Sequence, residues 1–217
     1  MFWQLIFAHL LADFPLQFET VFKLKKRGIS GIMLHSGMWT VVAIISAPHL
    51  ACNLLAWLFF FLSHTLIDWA KIKGTEKIPA LDNLWMFLLD QLLHLFVIYL
   101  ACGFWPDSNK PISFIIPYLS FYIIVGPAGI ILNFYIKKLF YGAETSAIVS
   151  KEAYYLAGER MAIFTLILLP SPFYFCLPLL LMGRGLIFAE KKDTALDIVV
   201  STLLSVFCGL ILVLFIR

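Results

Sequence analysis

The chain has 217 residues, 62% of them hydrophobic and only 13% charged, with a mean hydropathy of +0.93 and a formal net charge of +3. Soluble domains are closer to half apolar and a quarter charged, so the composition excludes an ordinary soluble fold. No basic stripe interleaved with aromatics and no phosphate-cradling glycine loop occurs, which excludes a nucleic-acid or nucleotide-binding module.

About 20 consecutive apolar residues cross a bilayer as a helix. Eight apolar segments follow one another along the chain. The first runs from Phe2 to Phe22, with Pro15 expected to kink it, the second from Ile29 to Ala47, and the third from Ala51 to Ala70. The fourth is Leu84 to Trp105, and the fifth Ile112 to Tyr135, interrupted by Gly126 and Pro127. A shorter sixth, Tyr155 to Pro170, meets a seventh, Pro172 to Phe188, at Pro170-Ser171-Pro172, which reads as a tight turn. Leu196 to Ile216 is the eighth. The expectation is an all-α transmembrane bundle of seven or eight spans in one membrane domain, residues 1–217, with an N-terminal half over 1–105 and a C-terminal half over 112–217.

Lysine and arginine set the orientation. Lys23, Lys25, Lys26 and Arg27 follow the first segment, and Lys71, Lys73 and Lys77 the third. Lys137, Lys138, Lys151 and Arg160 surround the junction of the fifth and sixth, and Arg184, Lys191 and Lys192 the end of the seventh. The opposite side carries only Lys110 and Arg217. This alternation places the basic connections in the cytoplasm and, with eight spans, both termini outside. The opening MFWQLIFAHLLADF has no basic leader region or small-residue cleavage site, so it reads as a retained first helix. Cys52, Cys102, Cys176 and Cys208 form no CxxC and read as small buried hydrophobes.

Ionisable residues inside apolar helices are expensive and mark functional sites. His9 and Asp13, His64 and Asp68, and Asp90 and His94 are each four residues apart. That spacing puts an imidazole and a carboxylate on one helix face, a turn apart. With seven aspartates among 217 residues, chance rarely sets three of five histidines at this distance from one. Depth agrees. At about 1.5 Å per residue from the basic side, Asp68 lies within roughly 5 Å, His64, Asp90 and His35 at about 10–12 Å, Asp13 and His94 at about 15 Å and His9 at roughly 20 Å. Four helices can therefore aim four histidines and three aspartates at one cavity.

Imidazole and carboxylate without thiolate suit zinc, iron or manganese. Seven donors exceed one tetrahedral ion, so they hold two ions, or one with carboxylates orienting the histidines. Two other readings stand beside this one: His–Asp pairs that merely join helices, and a relay for protons or ions. His49, in the connection APHLAC, reads as a surface histidine.

A second polar group opens the sixth segment in YYLAGERMAIF. Arg160 is expected to snorkel to the interface; otherwise Glu159 faces the cavity as a catalytic carboxylate and Arg160 meets a substrate anion. Arg184 in LLMGRGLIF carries the same two readings. Ser201, Thr202 and Ser205 read as helix-packing residues.

The pattern HLLADFPLQ, MLHSG, SHTLIDWAK and LLDQLLH resembles the domain of unknown function 3307 family, best over residues 2 to 95. AGERMAIFTLIL is similar to that family's later Glu-Arg segment and STLLS to its last helix, while its basic residues after segment seven are matched only by Arg184. His9, Asp13, His35, His64, Asp68, Asp90 and His94 match residue by residue. The resemblance implies a bacterial inner-membrane protein and supplies no activity. A looser likeness to membrane-bound metal-dependent hydrolases with transmembrane His and Asp ligands rests on fold and site alone.

The leading expectation is thus a metal-dependent hydrolase opening to the cytoplasm, with Asp13, Asp90 or Glu159 as proton acceptor and Arg160 and Arg184 on substrate. The substrate would be a lipid headgroup, a lipid-linked intermediate or a phosphoester. The bilayer is the partner, no nucleic acid is expected, and the sequence leaves room for a homo-oligomer. The alternatives are a protein that binds or transports metal ions or protons, and a non-catalytic membrane subunit.

Overall fold

The computed structural model describes residues 1–106, 114–142, 151–169 and 194–216, and every structural statement below is made of these residues. They are helical, with no strand among them. The Pro170–Pro172 turn, the seventh segment with Arg184, and Lys110, Lys191 and Lys192 lie outside the described residues.

Five helices are long and apolar enough to cross a membrane: Ile29–Ser46, Leu54–Lys77, Leu84–Phe104, Ile115–Tyr141 and Leu196–Leu214. The chain falls into two compact units, Met1–Ser120 and Phe121–Arg217.

In the first unit, α1 is Phe2–Asp13, α2 Glu19–Arg27, α3 Ile29–Ser46, α4 Leu54–Lys77 and α5 Leu84–Phe104. The expected single segment from Phe2 to Phe22 is two helices. Pro15 has no N–H to donate, so the ladder stops: Phe14 N–H reaches Leu10 O, Leu16 N–H reaches back to Leu11 O, and the chain turns. At twelve residues α1 is roughly 18 Å long, too short to cross the ~30 Å hydrocarbon core. The amphipathic α2 buries Val21 and Lys25 and ends on Gly28, whose φ of 148° suits glycine alone. α2 and α3 pack closely because Gly31 has no side chain; a Cβ there would overlap the carbonyl of Leu24.

Asn53 caps α4 by accepting from Ala56 N–H at 3.1 Å, and Asn83 caps α5 by accepting from Met86 N–H at 3.0 Å. α4 continues seven residues beyond the apolar run expected to end at Ala70, so Lys71, Lys73 and Lys77 are helical residues and not a loop. Around the polar residues the interior is closed by Leu5, Ala8, Ala12, Trp39, Ala43, Phe60, Ile98 and Ala101, all fully or almost fully buried. The outer faces carry Ile45, Leu54, Leu55, Leu62, Leu92 and Tyr99 in the open, as a lipid-facing bundle requires.

The second unit begins within α6, Ile115–Ile123, which runs through a π-helical turn, Ile124–Ala128, into α7, Gly129–Tyr141. The expected interruption at Gly126-Pro127 is thus a widened turn inside a continuous helical path. α8 is Lys151–Leu168 and α9 is Thr194–Ile216. These two pack against each other, with Gly209 admitting the side chain of Ile167.

Candidate metal centre

The three period-four pairs and His35 meet inside the first unit. α1 supplies His9 and Asp13, α3 His35, α4 His64 and Asp68, and α5 Asp90 and His94. All seven are buried. Asp13 Oδ1 lies 3.2 Å from His35 Nε2 and 3.4 Å from His64 Nε2. Asp68 Oδ2 lies 3.4 Å from His64 Nε2 and 3.8 Å from His35 Nε2. The rings of His9 and His94 stack at 4.8 Å, His64 and His94 stand 4.4 Å apart, and Trp39 lies flat over His64 at 4.9 Å.

Hydrogen bonds fix how two of the rings present themselves. His94 Nδ1 faces the Asp90 main-chain oxygen at 2.8 Å; a carbonyl only accepts, so Nδ1 carries the proton and Nε2 keeps its lone pair. Gln91 Nε2 donates to Asp90 Oδ2 at 3.0 Å, which leaves Gln91 Oε1 facing His9 Nε2 at 3.3 Å. His9 Nε2 is therefore the protonated nitrogen and Nδ1 the free one. His9 Nδ1, His35 Nδ1, both ring nitrogens of His64, Asp68 Oδ2, Asp90 Oδ1 and His94 Nε2 are buried and engage no hydrogen bond. Polar atoms held this way in an apolar interior each cost about 1–3 kcal/mol unless something satisfies them.

A metal ion is such a partner. Three groups each bring their donor atoms within 4.8 Å of one another: His9, His64 and His94; Asp13, His35 and His64; Asp68, Asp90 and His94. Around a tetrahedral zinc with bonds of about 2.1 Å, donors stand roughly 3.4 Å apart. Movements on the scale of a side-chain rotamer close that difference, so the residues fit one or two divalent ions. No cysteine belongs to these groups.

Two lysines complete the centre, and sequence reasoning placed both in loops. Lys25 Nζ stands 2.6 Å from Asp68 Oδ2, outside hydrogen-bond alignment, and donates to Gln17 Oε1 at 3.0 Å. Lys71 Nζ donates to Asp90 Oδ2 at 2.8 Å. Neither had a local signal in the sequence, because the partner of each, Asp68 for Lys25 and Asp90 for Lys71, is on another helix.

Glu159 and Arg160 belong to the second unit. Arg160 is fully buried and does not snorkel. Its Nε donates to Val125 O at 2.6 Å and Nη2 to Gly126 O at 3.4 Å, both in the π-helical turn, and Nη1 reaches Ser201 Oγ at 3.5 Å. Widening the turn leaves main-chain oxygens that a guanidinium satisfies better than lipid could. Gly129 makes the space, since a Cβ there would stand 2.9 Å from Arg160 Nε. Ser201 and Ser205 are buried as packing residues, and Ser205 Oγ donates to Arg160 O at 3.1 Å. Glu159 is also buried. His49 is exposed, as expected. An apolar groove of about 330 Å³ lined by Ile29, Leu62, Thr65, Leu66 and Trp69 borders none of the seven residues.

Residues 1–121 match the family described as a protein of unknown function, DUF3307. The chain belongs to that family. No curated protein and no solved structure matches. The family match ends one residue beyond the first compact unit, so it contains all seven His and Asp residues with Lys25 and Lys71. Glu159, Arg160 and Arg184 lie beyond it.

Proposed function

We propose that this DUF3307 protein is a membrane-embedded metal-dependent hydrolase of the bacterial inner membrane, with its His/Asp centre opening to the cytoplasm. The observation that carries the reading is the convergence of seven buried side chains from four helices, with one ring nitrogen on each of His9, His35 and His94 and both on His64 free of hydrogen bonds. A divalent ion held there, zinc by ligand type or else iron or manganese, supplies Lewis acidity and brings the pKa of water toward neutrality. His9, His64 and His94 are the nitrogen donors. Asp13 Oδ1 holds His35 through a hydrogen bond to Nε2 and sets a carboxylate 3.4 Å from His64 Nε2. Asp90 is the proton acceptor: Lys71 and Gln91 hold its Oδ2, while Oδ1 stays free. Basic residues gather in α2 and the last turns of α4, which supports a cytoplasmic position for this end of the bundle.

The test is metal analysis of the full chain purified in mild detergent, followed by hydrolysis of para-nitrophenyl esters and phosphoesters. One or two equivalents of transition metal and a metal-dependent turnover that Asp90→Asn removes are expected. No metal as isolated, and none on rebinding, would overturn the reading.

A second reading has one observation in its favour. The seven residues are almost wholly enclosed, which also suits an ion in transit. Metal flux into liposomes without any turnover would select it.

A further inference from the structure

Resting on the metal-centre reading, we infer that the substrate of this site is a phosphoryl oxyanion, held by Lys25 and Lys71 beside the metal. The inference begins with charge. Three carboxylates, Asp13, Asp68 and Asp90, stand with four imidazoles, counted neutral as metal ligands, in a buried volume, joined by the ammonium groups of the buried Lys25 and of Lys71, whose side chain is 27% exposed. Alone, this set carries one net negative charge. One divalent ion turns it into one net positive charge, and two ions into three. An uncompensated charge inside an apolar bundle costs several kcal/mol even after relaxation. The loaded centre is therefore completed by an anion.

The lysines say where the anion sits. Both are bound to carboxylates that the loaded site engages: Lys25 beside Asp68, which a metal would claim, at 2.6 Å, and Lys71 on Asp90, the proton acceptor, at 2.8 Å. Once a carboxylate's lone pairs turn to a cation, its ammonium keeps its charge and loses part of its partner. Lys25 then keeps only the neutral Gln17 Oε1, and each ammonium is short of an anionic partner. Asp68, Asp90 and His94 form one of the three donor groups, so both ammonium groups border the same end of the centre. Lys25 and Lys71 stand on α2 and α4, whose other basic residues attract anions toward that end.

Geometry separates phosphoryl from carboxylate. Two ammonium groups on different helices and a metal ion make three separate cationic positions. A tetrahedral oxyanion offers three oxygens to them, whereas a planar carboxylate offers two. Lysine serves such sites as a point charge.

The experiment uses the full chain in phosphatidylcholine nanodiscs and reads zinc affinity by competition with a chelating dye. Its arms are no addition, inorganic phosphate, acetate, and nanodiscs containing phosphatidic acid. The His64→Ala chain is the blank for zinc–phosphate association in solution. Phosphate or phosphatidic acid should tighten zinc binding at least tenfold, and acetate should not. A gain from the lipid alone names a headgroup as the source, and a gain from both names the phosphoryl group in either form. Lys25→Met with Lys71→Met should still bind zinc but lose the gain, and Lys25→Arg with Lys71→Arg should keep it. If the methionine chain does not fold, the wild-type and arginine chains still decide. Zinc binding that neither phosphate nor phosphatidic acid tightens would overturn the inference and leave the metal centre standing. So would an equal gain from acetate, or a gain surviving in a folded methionine chain. Absence of zinc binding would overturn both.

Discussion

Each compact unit buries ionisable groups, and they are buried on different terms. In the second unit the guanidinium of Arg160 is matched to main-chain oxygens of Val125 and Gly126 and to Ser201. Asp197 similarly accepts from Asn133 at 2.8 Å and Lys137 at 2.9 Å. These are polar groups that hold helices together. In the first unit, seven buried atoms on His9, His35, His64, Asp68, Asp90 and His94 make no hydrogen bond although they crowd one another. A cluster that served only to join helices would satisfy its own members, because each orphaned group weakens the bundle. The difference teaches that burial alone does not mark a functional site, whereas burial without satisfaction does. Asn133 Oδ1 and Thr202 Oγ1 of the second unit also lack partners, but they sit singly on separate helices.

The comparison breaks most visibly at the histidines. His64→Ala or His94→Ala should lower metal affinity by more than about 100-fold, beyond the 10–100-fold typical of losing an outer partner, and leave the chain folded. Asp13→Asn, which loosens the hold on His35 and removes the charge beside His64, should fall within that 10–100-fold range. Metal titration of each purified variant checks both. Equal metal content in wild type and His64→Ala would place the first unit in the same category as the second.

Arg160→Leu should do the reverse. It leaves two main-chain oxygens without a donor and a void where a large side chain packed, a loss of about 3 kcal/mol. The thermal midpoint in detergent should fall by several degrees, with metal stoichiometry unchanged. Metal loss without any fall in stability would show that Arg160 serves the centre and not its own unit.

What could be read in advance follows the same division. The pairs His9/Asp13, His64/Asp68 and Asp90/His94 were legible because helical periodicity is a local rule that needs no knowledge of neighbours. His35 was legible by cost alone, as an imidazole in an apolar span. The end of α1 was obscured because Phe14, Leu16 and Phe18 continue the apolar run past Pro15, and hydropathy cannot see a broken hydrogen-bond ladder. Lys25 and Lys71 were counted as interfacial charges since their partners are fixed only by packing. Arg160 was expected at the interface for a similar reason: the acceptors that bury it are main-chain oxygens, which every residue has and which only the π-helical turn exposes.

Between these large effects lies a test of how α2 reaches the centre. Gly31→Ala should push α2 away from α3, because the new methyl meets the Leu24 carbonyl. Trypsin should then cut at Lys23, Lys26 or Arg27 several-fold faster than in the wild type, and metal should remain bound since α2 supplies no metal donor. An unchanged cleavage rate would mean that α2 is held by something other than this close approach.

The smallest effect comes from α2 itself, which carries two ion pairs of equal length in opposite surroundings. Lys23 and Glu19 meet at 2.6 Å with side chains 65% and 78% exposed, and Lys25 and Asp68 at 2.6 Å with side chains 10% and 2% exposed. The hydrogen bond and charge of Lys23 hold the Glu19 carboxyl below its ordinary range. A depressed acid stabilises the folded chain above its unfolded pKa, and this contribution disappears as pH falls through the folded value. Solvent surrounds this pair, so screening and side-chain entropy consume what it gains. Thermal midpoints of Glu19→Gln and the wild type should therefore run together from neutral pH down to the carboxylate range. Lys25→Met, by contrast, should lower the midpoint measurably at neutral pH in the absence of metal, since it strands Asp68 in an apolar interior. If the two substitutions weigh the same, the Lys25–Asp68 contact is as wet as its neighbour, and the centre is not the enclosed cluster that its burial describes.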